Sequence, residues 1–410
     1  MKSINRQVKY AGVAAIALTM LAAVILLAGI AIPAQAQTET VLYSFQGTPS
    51  SGPDGAYPVS GALLKGTTLY GTTSQGGSGG GGGNGIVWGV STTTGKETIL
   101  YAFQAGQNDG YYPFGGLAYY KGSLYGTTCG GPHGPNGGPG MVFKLTKSGK
   151  KGYVETILHV FGTTDGACPD YVTPVFDKLG NLYGTTTGGG SGNSGTLFKL
   201  APNGTLTTLH AFCNYCQGDG QVPQSGVTFD KKGNLYGTTQ VGGTYTYGTL
   251  YEVTASGTYQ ILYNFMGGND GLYPLAPPVL DKKGNLYGTT ENGGSGGYGT
   301  IWEFNPKTGQ KKILHNFVYQ DGQSPWAGAL VFDKLGNLYG TTTAGGTVNG
   351  SGTIYKLAPD GTLTTLYSFS NQPDGDAPQG SVVFDKLGNL YTTTEAGGAT
   401  TNGAVIKLTP

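Results

Sequence analysis

The chain has 410 residues, 77 of them glycine and 28 tyrosine, with 11% charged residues and a formal net charge of +1. That balance supplies no basic field, so no nucleic-acid partner is expected. The 38% hydrophobic content, rich in aromatic and β-branched residues, excludes a disordered polar chain, and the glycines follow no collagen period.

At the N-terminus Lys2, Arg6 and Lys9 precede an apolar run over 11–32, closed by Pro33 and the small-residue site Ala34-Gln35-Ala36. The pattern predicts a secretory signal over 1–36, cleaved after Ala36. Because the run is long enough to cross a bilayer, an uncleaved anchor is the alternative, and only then is a membrane contact expected. The remainder, 37–410, is expected to form one exported domain, and a monomer.

Residues 38–45 read TETVLYSF, and related text returns as ETILYAF, ETILHVF, TLHAF, ILYNF, ILHNF and TLYSF, each later copy closing a unit. The phenylalanines Phe45, Phe103, Phe161, Phe212, Phe265, Phe317 and Phe369 recur at intervals of 51 to 58 residues. A second series, the tyrosine of LYGTT, gives Tyr70, Tyr125, Tyr183, Tyr236, Tyr287, Tyr339 and, in the variant LYTTT, Tyr391. Both series count seven. Each interval holds four strand candidates, in the fourth unit SGVTFD, NLYGTT, GTLYEV and TYQILYNF. The first hairpin is DKKGN or DKLGN in five units, the second a Gly-rich loop, and the third a turn such as APNGT. Four-stranded units of this length predict an all-β, seven-bladed β-propeller. Strand 38–45 would then complete the last blade, whose other three strands come from the C-terminal segment.

Between each outer strand and the next inner strand lies an Asp-Gly pair followed by proline, with Asp54, Asp109, Asp165, Asp219, Asp270, Asp321 and Asp374 as the acids. These connections are expected on the same face as the Gly-rich loops, which makes that face the natural binding surface. The plain reading has Asp bonding backbone, Gly taking a special φ and Pro fixing the path of the inner strand. Calcium bound by the seven carboxylates is the alternative, although the spacing lacks the alternating ligands of an EF-hand loop. No other cofactor or metal is expected. Aromatic residues beside the turns, Tyr57, Tyr111, Tyr112, Tyr171, Tyr273 and Trp326, vary between units and suit stacking on sugar rings; packing between loops is the competing account.

Other candidates carry less chemistry. The stretch GGSGGGGGNG at 76–85 precedes a strand, not the helix that a phosphate loop requires. His159, His210 and His315 replace the tyrosine of LYxF, and His133 has no nucleophile and acid beside it in the sequence to make a triad. Glu39, Glu97 and Glu155 are repeat-equivalent, so no lone acid pair stands out and no catalytic residue is assigned. Cys129, Cys168, Cys213 and Cys216 allow three pairings, of which Cys129 with Cys168 and Cys213 with Cys216 is preferred.

The combination of Asp-Gly-x-x-Pro, GNLYGTT, Gly-Gly and GTLFKL resembles the GloVer-type tandem repeat of secreted bacterial proteins over nearly everything after residue 37. The resemblance implies an exported repeat protein, secreted, periplasmic or on the cell surface, and supplies no activity. Units one and two depart from it in their first turn, and the last unit has Thr392 where glycine is usual. The expected function is a binding or surface-interaction module for polysaccharide or another cell-surface component. A polysaccharide-active hydrolase or lyase at the pore mouth and a structural envelope protein are the alternatives.

Overall fold

Alternating β-branched and aromatic residues, broken every few positions by Gly, Asn, Asp or Pro, fold this chain into short antiparallel strands. The computed structural model describes residues 37–47, 54–77, 83–104, 106, 108–132, 138–149 and 152–410. The signal or anchor over 1–36, His133 and the middle of the Gly-rich stretch lie outside the described residues. The chain divides into Glu39–Thr409 and a small unit of Met1–Thr38 with Pro410, of which only Gln37, Thr38 and Pro410 are described. Among the described residues no helix is long and apolar enough to cross a membrane.

The described strands form seven four-stranded sheets, the blades of a propeller. In blade 1 the strands, from inner to outer, are Leu63–Lys65, Thr68–Thr73, Ile86–Ser91 and Glu97–Ala102. Blade 7 takes Val383–Phe384, Leu390–Thr394 and Ala404–Thr409 from the C-terminal segment and its outer strand, Thr38–Ser44, from the N-terminal side. The ring therefore closes by strand pairing, as the displaced TETVLYSF predicts.

Blades pack face to face through apolar residues on both sides of each sheet. Phe45, Trp88, Leu69 and Val90 join Tyr391 and Val405 across the blade 7 to blade 1 boundary. All seven landmark phenylalanines are 0–1% exposed. In blades 1 to 6 the outer strand carries an extra residue opposite its partner, for instance between Val87 and Trp88. This bulge turns the next tyrosine or histidine toward the connection that follows, which decides where the Asp-Gly carboxylates bond.

The tyrosine, glycine and first threonine positions of LYGTT have structural uses. In the five units whose first turn begins with aspartate the tyrosine hydroxyl reaches that aspartate, as Tyr183 does Asp177 at 3.0 Å. The glycine lies under an aromatic ring of the third strand: a Cβ on Gly288 would meet Trp302 Cζ2 at 2.4 Å. Blade 7 carries Ile406 opposite Thr392 in place of that aromatic, which accounts for the one unit with threonine in this position. In every blade but the fifth, where Thr289 Oγ1 has no protein partner, the threonine after the glycine position donates to a carbonyl of the next blade's inner segment, for example Thr185 to Ser225 at 2.6 Å and, across the ring closure, Thr393 to Ser60 at 2.7 Å. In DKLGN the aspartate accepts the amides of Leu179 and Asn181, both at 2.9 Å, while Gly180 takes φ 90°.

Candidate binding face

The Asp-Gly connection pairs with the Gly-rich loop of its own blade in every unit, as Gly55 with Gly76, Gly220 with Gly242 and Asp376 with Ala396. The two segments thus share one face, as expected from the sequence. A Cβ on any of the seven Asp-Gly glycines would fall 2.3–2.6 Å from the last threonine of that blade's LYGTT or LYTTT, so close approach of backbone to side chain demands glycine there.

Each Asp-Gly carboxylate is held locally. Asp54, Asp109, Asp270 and Asp374 accept from the hydroxyls of Tyr43, Tyr101, Tyr263 and Tyr367 at 2.6–3.1 Å. Asp165, Asp219 and Asp321 pair instead with Nε2 of His159, His210 and His315 at 2.9–3.1 Å, so the histidines do replace tyrosine in role as well as register. Each acid also accepts a backbone N–H just beyond the landmark phenylalanine, such as Gln46 at 2.7 Å. The seven carboxylates are distributed one per blade and do not converge. The described residues contain no group of three or more His, Cys, Asp or Glu placed to hold an ion.

Three residues after each aspartate the chain takes a positive φ without glycine: Tyr57, Tyr112, Cys168, Val222, Tyr273, Ser324 and Ala377 lie between 48° and 61°. Such a backbone costs on the order of 1–2 kcal/mol per residue. It persists because both polar groups are bonded, as for Val222, whose N–H donates to Ser194 and whose carbonyl accepts from Gln240, each at 3.0 Å. Tyr57, Tyr112 and Tyr273 thus occupy positions that the backbone defines and that other units fill with small or aliphatic residues. Tyr112 is 39% exposed, Tyr57 and Tyr273 are half-buried, and Tyr273 packs on Tyr247 with centroids 6.4 Å apart.

Tyr171 and Trp326 are brought together. They come from the segments leading into blades 3 and 6, on opposite sides of the ring, yet their rings are 6.5 Å apart, so they meet at the axial mouth. Phe114 stacks on Tyr171 at 5.8 Å, Tyr112 lies 6.0 Å from Phe114, and Tyr111 lies 4.9 Å from Tyr112. Five rings therefore form a track from blade 2 across the mouth.

Trp326 apart, the polar groups beside this track were not among the residues expected from the sequence. The position after each proline is Val59, Phe114, Asp170, Gln224, Leu275, Trp326 or Gln379. Gln224 and the Tyr171 backbone bond the Asp170 carboxyl and the Trp326 indole faces the Tyr171 hydroxyl, while Asp170 Oδ1, Gln224 Oε1 and Gln379 Oε1 are buried with no protein partner. Gln379 Nε2 donates to Glu395, which follows LYTTT in blade 7. Burial pushes the Asp170 carboxyl up to about 7 and raises those of Glu291 and Glu395 above the usual range. The Tyr171 hydroxyl is held well above its ordinary value by burial first, then by the charges of Asp170 and Glu395, which places both acids near it. The available signal was variation: the residue after the proline changes between units while the proline does not.

The cysteines pair as Cys129–Cys168, linking the loop of blade 2 to the connection into blade 3, and Cys213–Cys216 within one connection. The first bridge therefore fixes the segment that presents Asp170 and Tyr171. No cysteine is free among the described residues.

A family model described as the Gloeobacter/Verrucomicrobia repeat matches residues 30–240, 78–283 and 227–410. A search of curated proteins found no match. Among solved structures, the extracellular domain of a putative hybrid two component system from B. thetaiotaomicron is similar at TM-score 0.56 and 11% identity, covering 88% of this chain. This chain spans 40% of that one. An oligogalacturonate lyase from Vibrio parahaemolyticus is similar at TM-score 0.55 and 10% identity, covering 92% of this chain and 94% of its own. At such identities the likeness is one of fold.

Proposed function

The chain belongs to the Gloeobacter/Verrucomicrobia repeat family, and on that footing we propose that its Asp-Gly face is an exported carbohydrate-binding surface. The observation that carries this reading is the aromatic track from Tyr111 and Tyr112 through Phe114 to Tyr171 and Trp326, ending beside the polar side chains of Asp170, Gln224 and Gln379. Ring faces stack on the apolar faces of sugars, while acceptors and an indole N–H fix hydroxyls. Repeated residues are already committed to the fold, which leaves the unit-specific ones for recognition. Two disulfides suit an oxidising compartment outside the cytoplasm.

Binding to a panel of plant, fungal and bacterial glycans tests this. One or more should bind, and Tyr112→Ala and Trp326→Ala should each weaken that binding about tenfold, the size of one stacking contact. A panel without a ligand would leave the structural envelope role as the better account.

A second reading, glycan cleavage at the mouth, is favoured by Asp170, a carboxyl brought to about 7 by burial beside the Tyr171 hydroxyl. Depolymerisation of a bound glycan, abolished by Asp170→Asn with binding retained, would support it over binding alone.

A further inference from the structure

The connections and Gly-rich loops that build the Asp-Gly face contain no lysine or arginine, although the chain has 23 such residues and Arg6 is its one arginine. The same segments hold the seven Asp-Gly acids together with Asp170, Asp376, Glu291 and Glu395. These segments themselves are therefore one-signed in a protein whose net charge is only +1, although Lys311 reaches Asp270 and histidines reach Asp165, Asp219 and Asp321 from the outer strands.

At the mouth the imbalance is local as well. Gln224 and the Tyr171 backbone bond the Asp170 carboxyl and the Trp326 indole faces the Tyr171 hydroxyl, which leaves three buried acceptor atoms, Asp170 Oδ1, Gln224 Oε1 and Gln379 Oε1, without protein donors. A ligand that supplies donors to such acceptors is favoured over one that brings further acceptors. A uronic or sulfated glycan would bring more acceptors and find no guanidinium or ammonium. A free amine brings three N–H donors and a positive charge, which the faces of Trp326 and Tyr171 also attract.

We propose that the axial mouth formed by Asp170, Tyr171, Gln224, Trp326, Gln379 and Glu395 takes an amine-bearing glycan, a hexosamine polymer with free ammonium groups, in preference to neutral or acidic glycans. The inference rests on the carbohydrate-binding reading above and names its ligand class. The burial that raises Asp170 is opposed by an ammonium beside it, so ligand and carboxylate stabilise each other.

Titration calorimetry of the full chain at neutral pH with three sugar probes decides the matter: a β-1,4-linked glucosamine hexamer, its N-acetylated form and an oligogalacturonate hexamer. The glucosamine hexamer should bind at least about tenfold tighter than the N-acetylated one, equivalent to about 1.4 kcal/mol, and the galacturonate should not bind. The double variant Asp170→Asn, Glu395→Gln should narrow that ratio, and added salt should narrow it in the unaltered protein, where folding of a variant is not at issue. N-acetylated or galacturonate hexamer binding as tightly as the glucosamine form overturns the amine preference and leaves the carbohydrate reading standing. A lysine hexapeptide binding as tightly as the glucosamine hexamer also overturns it, since charge alone would then suffice. Failure of all three sugars, and of the wider panel, removes both.

Discussion

The sixth residue before each landmark phenylalanine shows how one side chain adjusts the coupling between blades. In blade 5 it is Lys311, whose Nζ reaches Asp270 of the preceding connection at 2.7 Å, and in blade 4 it is Tyr259, which donates to Asp219 at 2.9 Å. In blades 7, 1 and 2 it is Glu39, Glu97 and Glu155, which face Asp374, Asp54 and Asp109, so acid meets acid. Tyr101 bridges one such pair, 3.1 Å from Asp109 and 2.9 Å from Glu155, and its single O–H satisfies only one of them at a time. Burial first, then the facing aspartate, pushes Glu97 and Glu155 up to about 7 from 4.5. A raised carboxyl favours the fold fully below its unfolded value, and that contribution is lost as pH rises through the folded value. The melting temperature should therefore fall between about pH 4.5 and about pH 7 and respond no further to these groups above that. Glu97→Gln and Glu155→Gln, which keep a donor toward the aspartate, should each flatten part of the slope and melt higher than the unaltered protein at about pH 8. Thermal melts across that range check this, and parallel curves for variant and parent would count against the acid pairs.

At the level of the strand, glycine and aromatic ring behave as one unit. Gly288 pairs with Trp302 across two strands, and the ring fills the space where a side chain would stand. Gly288→Ala should destabilise by about 1–3 kcal/mol through overpacking. Adding Trp302→Ile should recover part of that loss, because blade 7 already combines Thr392 with Ile406. A denaturant-based double-mutant cycle showing simple additivity would refute the coupling. These relations were legible early: strand order, hairpin turns and blade number follow from spacing, since each repeated residue meets the same neighbour seven times. The mouth was only half legible. Tyr171 and Trp326 stood out as unit-specific aromatics, whereas Asp170, Gln224, Gln379 and Glu395 looked like ordinary loop residues. Their meaning arises from contacts across the axis between distant units, for which a linear repeat carries no periodic signal. Tyr57 and Tyr273 show the converse, since no pattern of residue types announces that their position is a positive-φ corner with both backbone groups bonded.

For the ring as a whole, the decisive junction lies inside blade 7. Every other blade is continuous in sequence through its four strands, but Thr38–Ser44 and Ala404–Thr409 are held together without a covalent connection between them. The Phe45 amide donates to Gly403 at 3.0 Å, and the fully buried Phe45 ring packs 5.5 Å from Trp88 of blade 1. The next stretch reinforces the closure: the Tyr57 amide donates to Asn402 at 2.9 Å, and Thr393 donates to Ser60. Removing residues 38–45 would expose Ala404–Thr409 as a bare edge and uncover one side of Trp88, so loss should spread around the ring instead of stopping at one blade. The expected result is aggregation or a much lower melting temperature. To separate loss of the strand from loss of its place in the chain, the same eight residues can be moved behind Pro410 on a short flexible linker. If closure depends on pairing alone, this permuted chain should regain a cooperative transition close to that of the parent. An unchanged melt in the deletion would sink the closed-ring account, because an open stack of blades would tolerate losing one terminal strand.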